Sequence, residues 1–151
     1  MDNMILVSLE NDKQRVNQFK ENMMYLSPKI QEKIVQIPTL VDRTINQLDN
    51  LCGNCNVSLI NMDIKGMELE ALKGARNIIK NNKPVIAACA YHLPSDLYEL
   101  PMFLKNTCNE YEIFYRKYAS TIRNRFCNAE LVMYAVPQKR LVKNSWLPIF
   151  F

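Results

Sequence analysis

The stretch "LINMDIKGMELEALKGA", residues 59 to 75, decides how this chain is expected to fold. An apolar run of strand length ends at an acid, Asp63, and an amphipathic helix opens at a second acid, Glu68. Between the two acids stands Gly66, one of only three glycines in the 151 residues. A buried strand that passes through a tight turn into a helix is typical of α/β proteins, and a glycine permits that turn.

Strand-like and helix-like segments alternate along the rest of the chain. Four apolar runs rich in branched residues have the length of strands: 4–10, 33–37, 57–63 and 84–90. The last of the four is apolar on both faces, as a central parallel strand should be. Two aromatic and β-branched runs predict an antiparallel hairpin at the sheet edge: 111–118 and 130–136.

Helices are predicted between these strands from apolar residues at helical spacing. The first carries Val16, Phe19 and Met23 on one side, and Asn11 or Asp12 is placed to cap it. Three more are predicted: one or two turns ending near Gly53, one continuous helix over 67–80, and a helix over 95–106 kinked or restarted by Pro101. The pattern predicts a single α/β domain over residues 1–151, a doubly wound and mostly parallel sheet with helices on both faces.

The charge and hydropathy patterns argue against two classes of partner. The net charge of +4 is mild and the basic residues are intermixed with acids, so no concentrated basic face indicates nucleic-acid binding. No apolar run has the length that crosses a bilayer, and the first residues lack the basic region of a signal peptide. We therefore expect a soluble, cytoplasmic protein that binds neither nucleic acid nor membrane.

The five cysteines do not form a regular framework. Cys52 and Cys55 make a CxxC pair, which suits a redox centre or half of a zinc site. No second pair has matching spacing, and the one histidine, His92, lies far along the chain. Reduced thiols in a turn are favoured for a cytosolic chain, so no metal is predicted.

Polar residues follow three of the predicted strands. Glu10 ends the first strand, Asp63 ends the third, and His92 comes just after the fourth. Because open α/β sheets bind ligands at the carboxyl ends of their parallel strands, we expect these three side chains to share one rim. Two neighbouring residues have structural interpretations as well. Gly66 suits a turn, and Glu68 suits the positive end of a helix dipole.

At these residues the sequence resembles the C-terminal half of the FkbM family of S-adenosylmethionine-dependent methyltransferases. The family's signature there is IKIDVEGAE-x-x-x-LKGA, followed by a strand ending in Tyr-His, a Pro-x-Asp-Leu helix start and a closing hairpin. The clear resemblance covers residues 44–137, and the first strand and helix are similar more loosely. The matching positions are Asp63, Gly66, Glu68, Leu72, Lys73, Gly74, Ala75, Tyr91, His92, Pro94, Asp96, Leu97 and Tyr134.

The resemblance implies a function for the rim. It implies S-adenosylmethionine as the cofactor and methyl transfer to a hydroxyl of a small molecule or sugar. Asp63 and His92 are the implied catalytic residues, and Glu10 and Asp63 are implied to bind the cofactor. A carboxylate such as that of Glu10 suits this role because it accepts hydrogen bonds from both hydroxyls of a ribose. Three residues are implied in supporting roles: Gly66, Glu68 and Tyr91.

The sequence departs from the family pattern in three places. Lys65 stands where the family has an acid, and Asn46 stands where it has a helix-start aspartate. No glycine occurs before Gly53, so the family's first strand and its glycine-rich loop have no counterpart in these residues. We therefore expect a truncated Rossmann-like methyltransferase sheet that lacks a middle strand, exposes the flanking strand edges and is inactive alone.

One alternative interpretation belongs to another class of function. The chain would be a non-catalytic, methyltransferase-like remnant that serves as an interaction module. A partner chain or an oligomer would then cover the exposed sheet edge by adding a strand to it.

Overall fold

The computed structural model describes residues 5–10, 12–38, 47–52, 54–118 and 130–141. Within the described ranges six strands form one sheet in the order β2-β1-β3-β4-β6-β5: β1 (Ile5–Glu10), β2 (Ile34–Pro38), β3 (Val57–Asp63), β4 (Val85–Cys89), β5 (Tyr111–Tyr118) and β6 (Glu130–Pro137). β6 runs antiparallel to both of its neighbours, and the other neighbouring strands are parallel. The predicted sheet and hairpin are therefore confirmed.

Helices connect these strands. Those in the described residues are α1 (Lys13–Met23), α2 (Pro28–Gln31), α3 (Gln47–Cys52), α4 (Glu68–Gly74), α5 (Arg76–Asn82) and α6 (Asp96–Thr107), with a short 3₁₀ helix at Gln138–Arg140. None of them is both long and apolar enough to span a membrane. Of the two predicted caps of α1, Asp12 accepts hydrogen bonds from the Gln14 and Arg15 amides, whereas Asn11 lies outside the described residues.

The main core lies on one face of the sheet. Alternate residues of the strands point to it, among them Leu9 of β1, Ile60 of β3 and Met133 of β6, each at most 1% exposed. The helices after β3 and β4 pack against these residues through side chains such as Leu72 and Leu104. Buried apolar area of this kind supplies most of the free energy that stabilises the fold.

The helix predicted over 67–80 is in fact two helices, α4 and α5, which meet at Ala75. The break is stabilised from outside, because the carboxylate of Asp49 on α3 accepts hydrogen bonds from the Asn77 and Ile78 amides at 2.9 Å each. These amides belong to the first turn of α5, where no intrahelical acceptor exists. A side chain distant in sequence therefore caps α5, and local spacing could not reveal the new helix start.

The helix predicted to kink or restart at Pro101 is a single helix, α6, that contains the proline. Proline has no amide hydrogen, so the carbonyl of Leu97 one turn earlier loses its usual partner. The hydroxyl of Tyr115 on β5 donates to that carbonyl at 2.7 Å. A tertiary hydrogen bond thus replaces the one that Pro101 cannot make.

The sheet corrects the prediction that a missing middle strand exposes the edges beside it. β1 pairs directly with β3 in parallel register from Ile5 to Glu10, with one irregularity after Ile5. Because the backbone groups of each strand bond to the other, no unpaired edge lies between them. The outer edges of the described sheet are β2 and β5.

Candidate functional site

The carboxyl ends of the parallel strands bring the predicted rim together. Glu10 and Asp63 are register partners at the ends of β1 and β3. Their side chains are 12% and 20% exposed. His92 lies just beyond β4, the next strand, and its side chain contacts Asp63. Glu10, Asp63 and His92 therefore lie on one rim of the sheet.

His92 lies between two carboxylates. Its Nδ1 atom is 2.9 Å from Oε1 of Glu68, and its Nε2 atom is 3.4 Å from Oδ1 of Asp63. The first distance is a good hydrogen bond, and the second is at the long limit for one. The imidazole is therefore anchored on its Nδ1 side and loosely held on its Nε2 side.

Glu68 has a second role besides the one its position predicts. It lies in the first turn of α4, as the dipole argument predicts, and its fully buried side chain folds back over the loop after β3. Its carboxylate accepts hydrogen bonds from the amides of Ile64 at 3.0 Å and Gly66 at 2.9 Å. Lys65 and Gly66 both have positive φ, 55° and 92°, which turns these amides toward one anion.

The turn after His92 is also held by a carboxylate. Asp96, 2% exposed, accepts a hydrogen bond from the Leu93 amide at 2.9 Å. The Leu93 side chain lies directly over the α-carbon of Gly66, where an added Cβ would be 3.3 Å from Cγ of Leu93. The loops after β3 and β4 therefore pack on each other through a position that only glycine fills without contact.

Arg15 is a member of the site that the sequence did not reveal. Its Nη1 atom forms an ion pair with Oδ2 of Asp63 and lies 3.7 Å from Oε2 of Glu10. The Asp63 carboxylate raises the pKa of Arg15, so the guanidinium stays charged. The available signal was its position in the first turn of α1, which begins at the rim directly after β1. The rim is therefore a set of carboxylates joined by one cation and one imidazole.

Two protonated side chains complete the rim beside His92. Burial, together with the nearby charges of Asp63 and Glu68, raises the pKa of the Cys89 thiol to about 12. Burial and the Asp63 carboxylate also raise the pKa of Tyr91, whose ring centroid lies 4.3 Å from that of His92. At neutral pH neither group is an anion, so Tyr91 can donate a hydrogen bond and Cys89 is no nucleophile.

Lys65, which replaces the family's acid, directs its charge away from the centre of the rim. Its Nζ atom lies 3.5 Å from Oδ2 of Asp12, and its side chain is 61% exposed. The pair joins the loop after β3 to the N-terminus of α1. The substitution is therefore accommodated by a surface ion pair.

Asp63, Glu68 and His92 offer ligand atoms that all lie within 4.8 Å of one another, which is close enough for one metal ion. Both Glu68 oxygens, however, already accept N–H donors, and Asp63 pairs with the Arg15 guanidinium. A metal would have to share these oxygens with the N–H donors and bind beside a fixed positive charge. The donor set fits an anchored histidine better than a metal centre.

The CxxC pair, Cys52 and Cys55, is not part of a cluster of metal-ligating side chains among the described residues. Cys52 is 2% exposed at the end of α3, and burial raises the pKa of its thiol. Among the described residues, Asp63, Glu68 and His92 form the only cluster of three or more metal-ligating side chains, so Cys52 and Cys55 lack further ligands there. Cys127 lies outside the described residues.

Comparison with known proteins agrees with this fold. The sequence profile of the methyltransferase FkbM domain matches residues 6–113, which run from β1 into β5 and include every predicted site residue. The crystal structure of methyltransferase FkbM from Methylobacillus flagellatus KT superposes with a TM-score of 0.68 at 23% identity, over 87% of this chain and 36% of that one. Precorrin-6y C5,15-methyltransferase from Geobacter metallireducens GS-15 gives 0.51 at 15% identity, over 89% and 78%.

At sequence identities of 23% and 15%, these superpositions show that the fold is shared and no more than that. The chain spans about a third of the length of the Methylobacillus protein, 36% by coverage. A search of curated proteins found no match.

Proposed function

The chain belongs to the methyltransferase FkbM domain family, and on that basis we propose that it carries the reaction rim of an S-adenosylmethionine-dependent methyltransferase. The proposed reaction is methyl transfer to a hydroxyl of a small molecule or sugar. The observation that carries the proposal is His92, held between the carboxylates of Glu68 and Asp63 on the same rim as Glu10.

The acceptor at the end of β1, the Glu10 carboxylate, fits the cofactor's ribose. One Glu10 oxygen, Oε1, accepts the Asp12 amide at 2.8 Å, which fixes the carboxylate at the rim. The other, Oε2, has Arg15 at 3.7 Å and can accept a hydroxyl. Glu10 would therefore hold the ribose, with Asp63 beside it on the next strand. When bound, S-adenosylmethionine supplies an electrophilic methyl group.

His92 is the proposed general base. Its Nε2 atom faces the rim, and a hydroxyl that approaches Nε2 beside Asp63 would give up its proton to the ring. Asp63 and Glu68 then stabilise the positive imidazolium from both sides, since each is within 3.4 Å of a ring nitrogen. General base catalysis of this kind contributes about 10²–10⁴-fold to rate.

Arg15 and Tyr91 would orient the reacting groups around His92. Arg15 orients Asp63 by holding Oδ2, which leaves Oδ1 directed at His92. Tyr91 keeps its proton and offers a donor or a ring face to the acceptor beside His92. Neither residue is proposed to transfer a proton.

A second candidate function is a non-catalytic interaction module. The observation that favours it is the direct pairing of β1 with β3, which closes the described sheet into one continuous unit. A partner chain or a second copy would then add a strand at an outer edge, β2 or β5, by β-augmentation.

The first test is cofactor binding, read from the only histidine in the chain. The His92 resonances report binding at the rim even when affinity is low, so addition of S-adenosylmethionine to the 151-residue chain should shift them. Glu10→Gln should weaken the shift at equal ligand concentration. The matched control is Glu21→Gln, an exposed position on α1 whose substitution should change nothing. Unshifted His92 resonances at millimolar cofactor in a longer polypeptide that carries the glycine-rich loop would refute the proposal.

The second test separates the two candidate functions. In a longer polypeptide that transfers a labelled methyl group, His92→Gln should lower the transfer rate by about 10²–10⁴-fold and leave cofactor affinity nearly unchanged. Transfer by His92→Gln at the rate of the parent polypeptide would exclude His92 as the base. Partner binding with no cofactor-dependent shift would instead support the interaction module.

A further inference from the structure

We infer that Glu68 is a positioning residue that fixes His92 in the tautomer with its proton on Nδ1, leaving the lone pair of Nε2 on the rim. The part played by Nε2 in the reaction rests on the proposed function, whereas the tautomer follows from the contacts alone. The two statements therefore stand or fall by different measurements.

The Glu68 carboxylate is committed on both oxygens. Oε1 accepts from the Ile64 amide at 3.0 Å and faces Nδ1 of His92 at 2.9 Å, while Oε2 accepts from the Gly66 amide at 2.9 Å. The side chain has no exposure to solvent, so water cannot replace any of these partners. A buried carboxylate surrounded in this way has one arrangement only.

The tautomer follows from what each group can donate. Backbone amides only donate, so Oε1 is oriented as an acceptor by the Ile64 amide. A neutral imidazole has one N–H and one lone pair, and only the N–H can face an acceptor. Nδ1 must therefore carry the proton, which leaves Nε2 unprotonated in the neutral ring.

Nε2 then has no proton to give to the Asp63 carboxylate. Their separation of 3.4 Å is longer than a charge-assisted hydrogen bond, as expected when neither atom carries a hydrogen. A hydroxyl that enters beside Asp63 finds a free lone pair already directed at it. The opposite tautomer would present an N–H there and could not accept a proton.

The positioning role of Glu68 explains the conformation of the loop that joins β3 to α4. Positive φ at Lys65 and Gly66 turns the loop around the carboxylate of Glu68, and the carboxylate in turn holds the imidazole that follows β4. The loop's own hydrogen bonds would be satisfied without the contact to His92. A Glu68 that only holds the loop therefore predicts the Nε2–H tautomer that free histidine prefers in water.

The test is nitrogen NMR of the imidazole in the 151-residue chain, recorded with the ring neutral. His92 is the only histidine, so its two ring nitrogens give one unambiguous pattern. Wild type should show a protonated Nδ1 and an unprotonated Nε2. Glu68→Ala should lose this pattern and move to the Nε2–H tautomer that free histidine prefers in water.

Two control variants distinguish a change of tautomer from a general loss of folded structure. Glu68→Gln should keep the Nδ1–H pattern, because its amide oxygen still accepts from Nδ1, although it unfolds at a lower denaturant concentration since its NH₂ cannot accept from Gly66. Glu70→Gln is the matched control on the same helix, where the Glu70 side chain is 51% exposed and pairs with Lys73. Its spectrum should be that of wild type.

An Nε2–H pattern in wild type, or an Nδ1–H pattern in a folded Glu68→Ala, overturns the inference. If Glu68→Ala does not fold, the wild-type and Glu68→Gln spectra decide it, and an Nε2–H pattern in either overturns it. An Nδ1–H pattern in a longer polypeptide that carries the glycine-rich loop, yet never transfers methyl, would refute the proposed function and leave the positioning role standing.

Discussion

At the scale of single residues, Gly66 sets the shape of the rim. Its φ of 92° lies where residues with a Cβ are strained, and an added Cβ would sit 3.3 Å from Cγ of Leu93. Leu93 is 45% exposed and can move aside, so backbone strain should dominate the effect. Gly66→Ala should lower the free energy of unfolding by about 1–3 kcal/mol, measured by urea denaturation.

Leu93→Ala provides the control for this substitution. If the backbone is the cause, combining Leu93→Ala with Gly66→Ala should restore little of the lost stability. Full recovery in the double variant would show that the side-chain contact, and not the strained φ, governs the cost.

Arg15 holds the carboxylates that the cofactor is proposed to use. Arg15→Gln should free Glu10 and Asp63 to accept hydroxyls and remove a positive charge near the proposed position of the sulfonium, so S-adenosylmethionine should bind several-fold more tightly. The Arg15 side chain is 56% exposed, so the loss of folding stability should stay below about 1 kcal/mol. NMR titration and urea unfolding measure the two effects.

The matched control is Lys13→Gln, which removes an exposed positive charge from the same helix without touching the rim. Equal changes in affinity for the two variants would mean that net charge alone is responsible. Weaker binding by Arg15→Gln would show that the guanidinium itself contacts the ligand.

The sequence predicts these residues unequally. The sequence was enough to predict that three residues share a rim: Glu10, Asp63 and His92. Each follows an apolar strand, and the carboxyl ends of parallel strands meet at one edge of the sheet. Arg15 could not be predicted, since its contact with Asp63 joins positions 48 apart through a long flexible side chain. Glu68 was found as a residue but not in its role, because a first-turn acid looks the same whether it faces solvent or folds back.

At the scale of elements, α6 depends on β5 for a hydrogen bond. Tyr115→Phe removes the donor to the Leu97 carbonyl that Pro101 leaves without its helical partner. The free energy of unfolding should fall by about 0.5–1.5 kcal/mol, the usual net value of a hydrogen bond. In a Pro101→Ala background, where an amide returns to that carbonyl, the same substitution should cost less. Equal costs in both backgrounds would contradict this account.

The cap of α1 gives the fold a pH-dependent element. The amides of Arg15 and Gln14 lower the pKa of Asp12 below its usual 3.8, with Lys65 as a smaller cause. A lowered pKa adds stability that is complete above the unfolded value and is lost as pH falls through the folded value. Asp12→Asn keeps an acceptor but does not titrate. The stability difference between wild type and Asp12→Asn should therefore be constant above about pH 5 and shrink below 3.8.

Urea unfolding at a series of pH values measures this difference. Lys65→Gln, which removes only the smaller cause, should keep most of the pH dependence. A difference that does not vary with pH would show that the Asp12 carboxylate is not the titrating cap.

The helices and strands whose bounds follow from the local sequence pattern were predicted well. Those whose bounds involve contacts with distant residues were predicted poorly. The strands and the hairpin follow from apolar alternation and turn residues, and the structure places them within one or two residues of expectation. The amides after the break at Ala75 donate to Asp49 from another helix, and the Leu97 carbonyl that Pro101 leaves without its helical partner accepts from Tyr115 of a strand. Neither partner is visible in a local window of sequence.

At the scale of the whole molecule, the pairing of β1 with β3 is the feature that family resemblance could not predict. The expected truncation predicts two open edges, but the backbone groups of β1 and β3 are satisfied by each other. A strand inserted between them would have to part β1 and β3 from about 4.8 Å to about 10 Å. Glu10 and Asp63 would then separate, and Arg15 could not contact both.

The last prediction concerns activity of the 151-residue chain. In the family the ammonium and carboxylate of the cofactor are implied to meet backbone groups of a glycine-rich loop, and no glycine precedes Gly53 here. Two lost charge-assisted hydrogen bonds cost about 3–6 kcal/mol, or about two to four powers of ten in affinity. The chain alone should therefore transfer no measurable labelled methyl, and a longer polypeptide with a first strand and glycine-rich loop before residue 1 should recover transfer. The same extension with its loop glycines replaced by valine should not. Tight cofactor binding or turnover by the 151 residues alone would contradict this prediction, because it would mean that Glu10, Asp63 and His92 suffice without the loop.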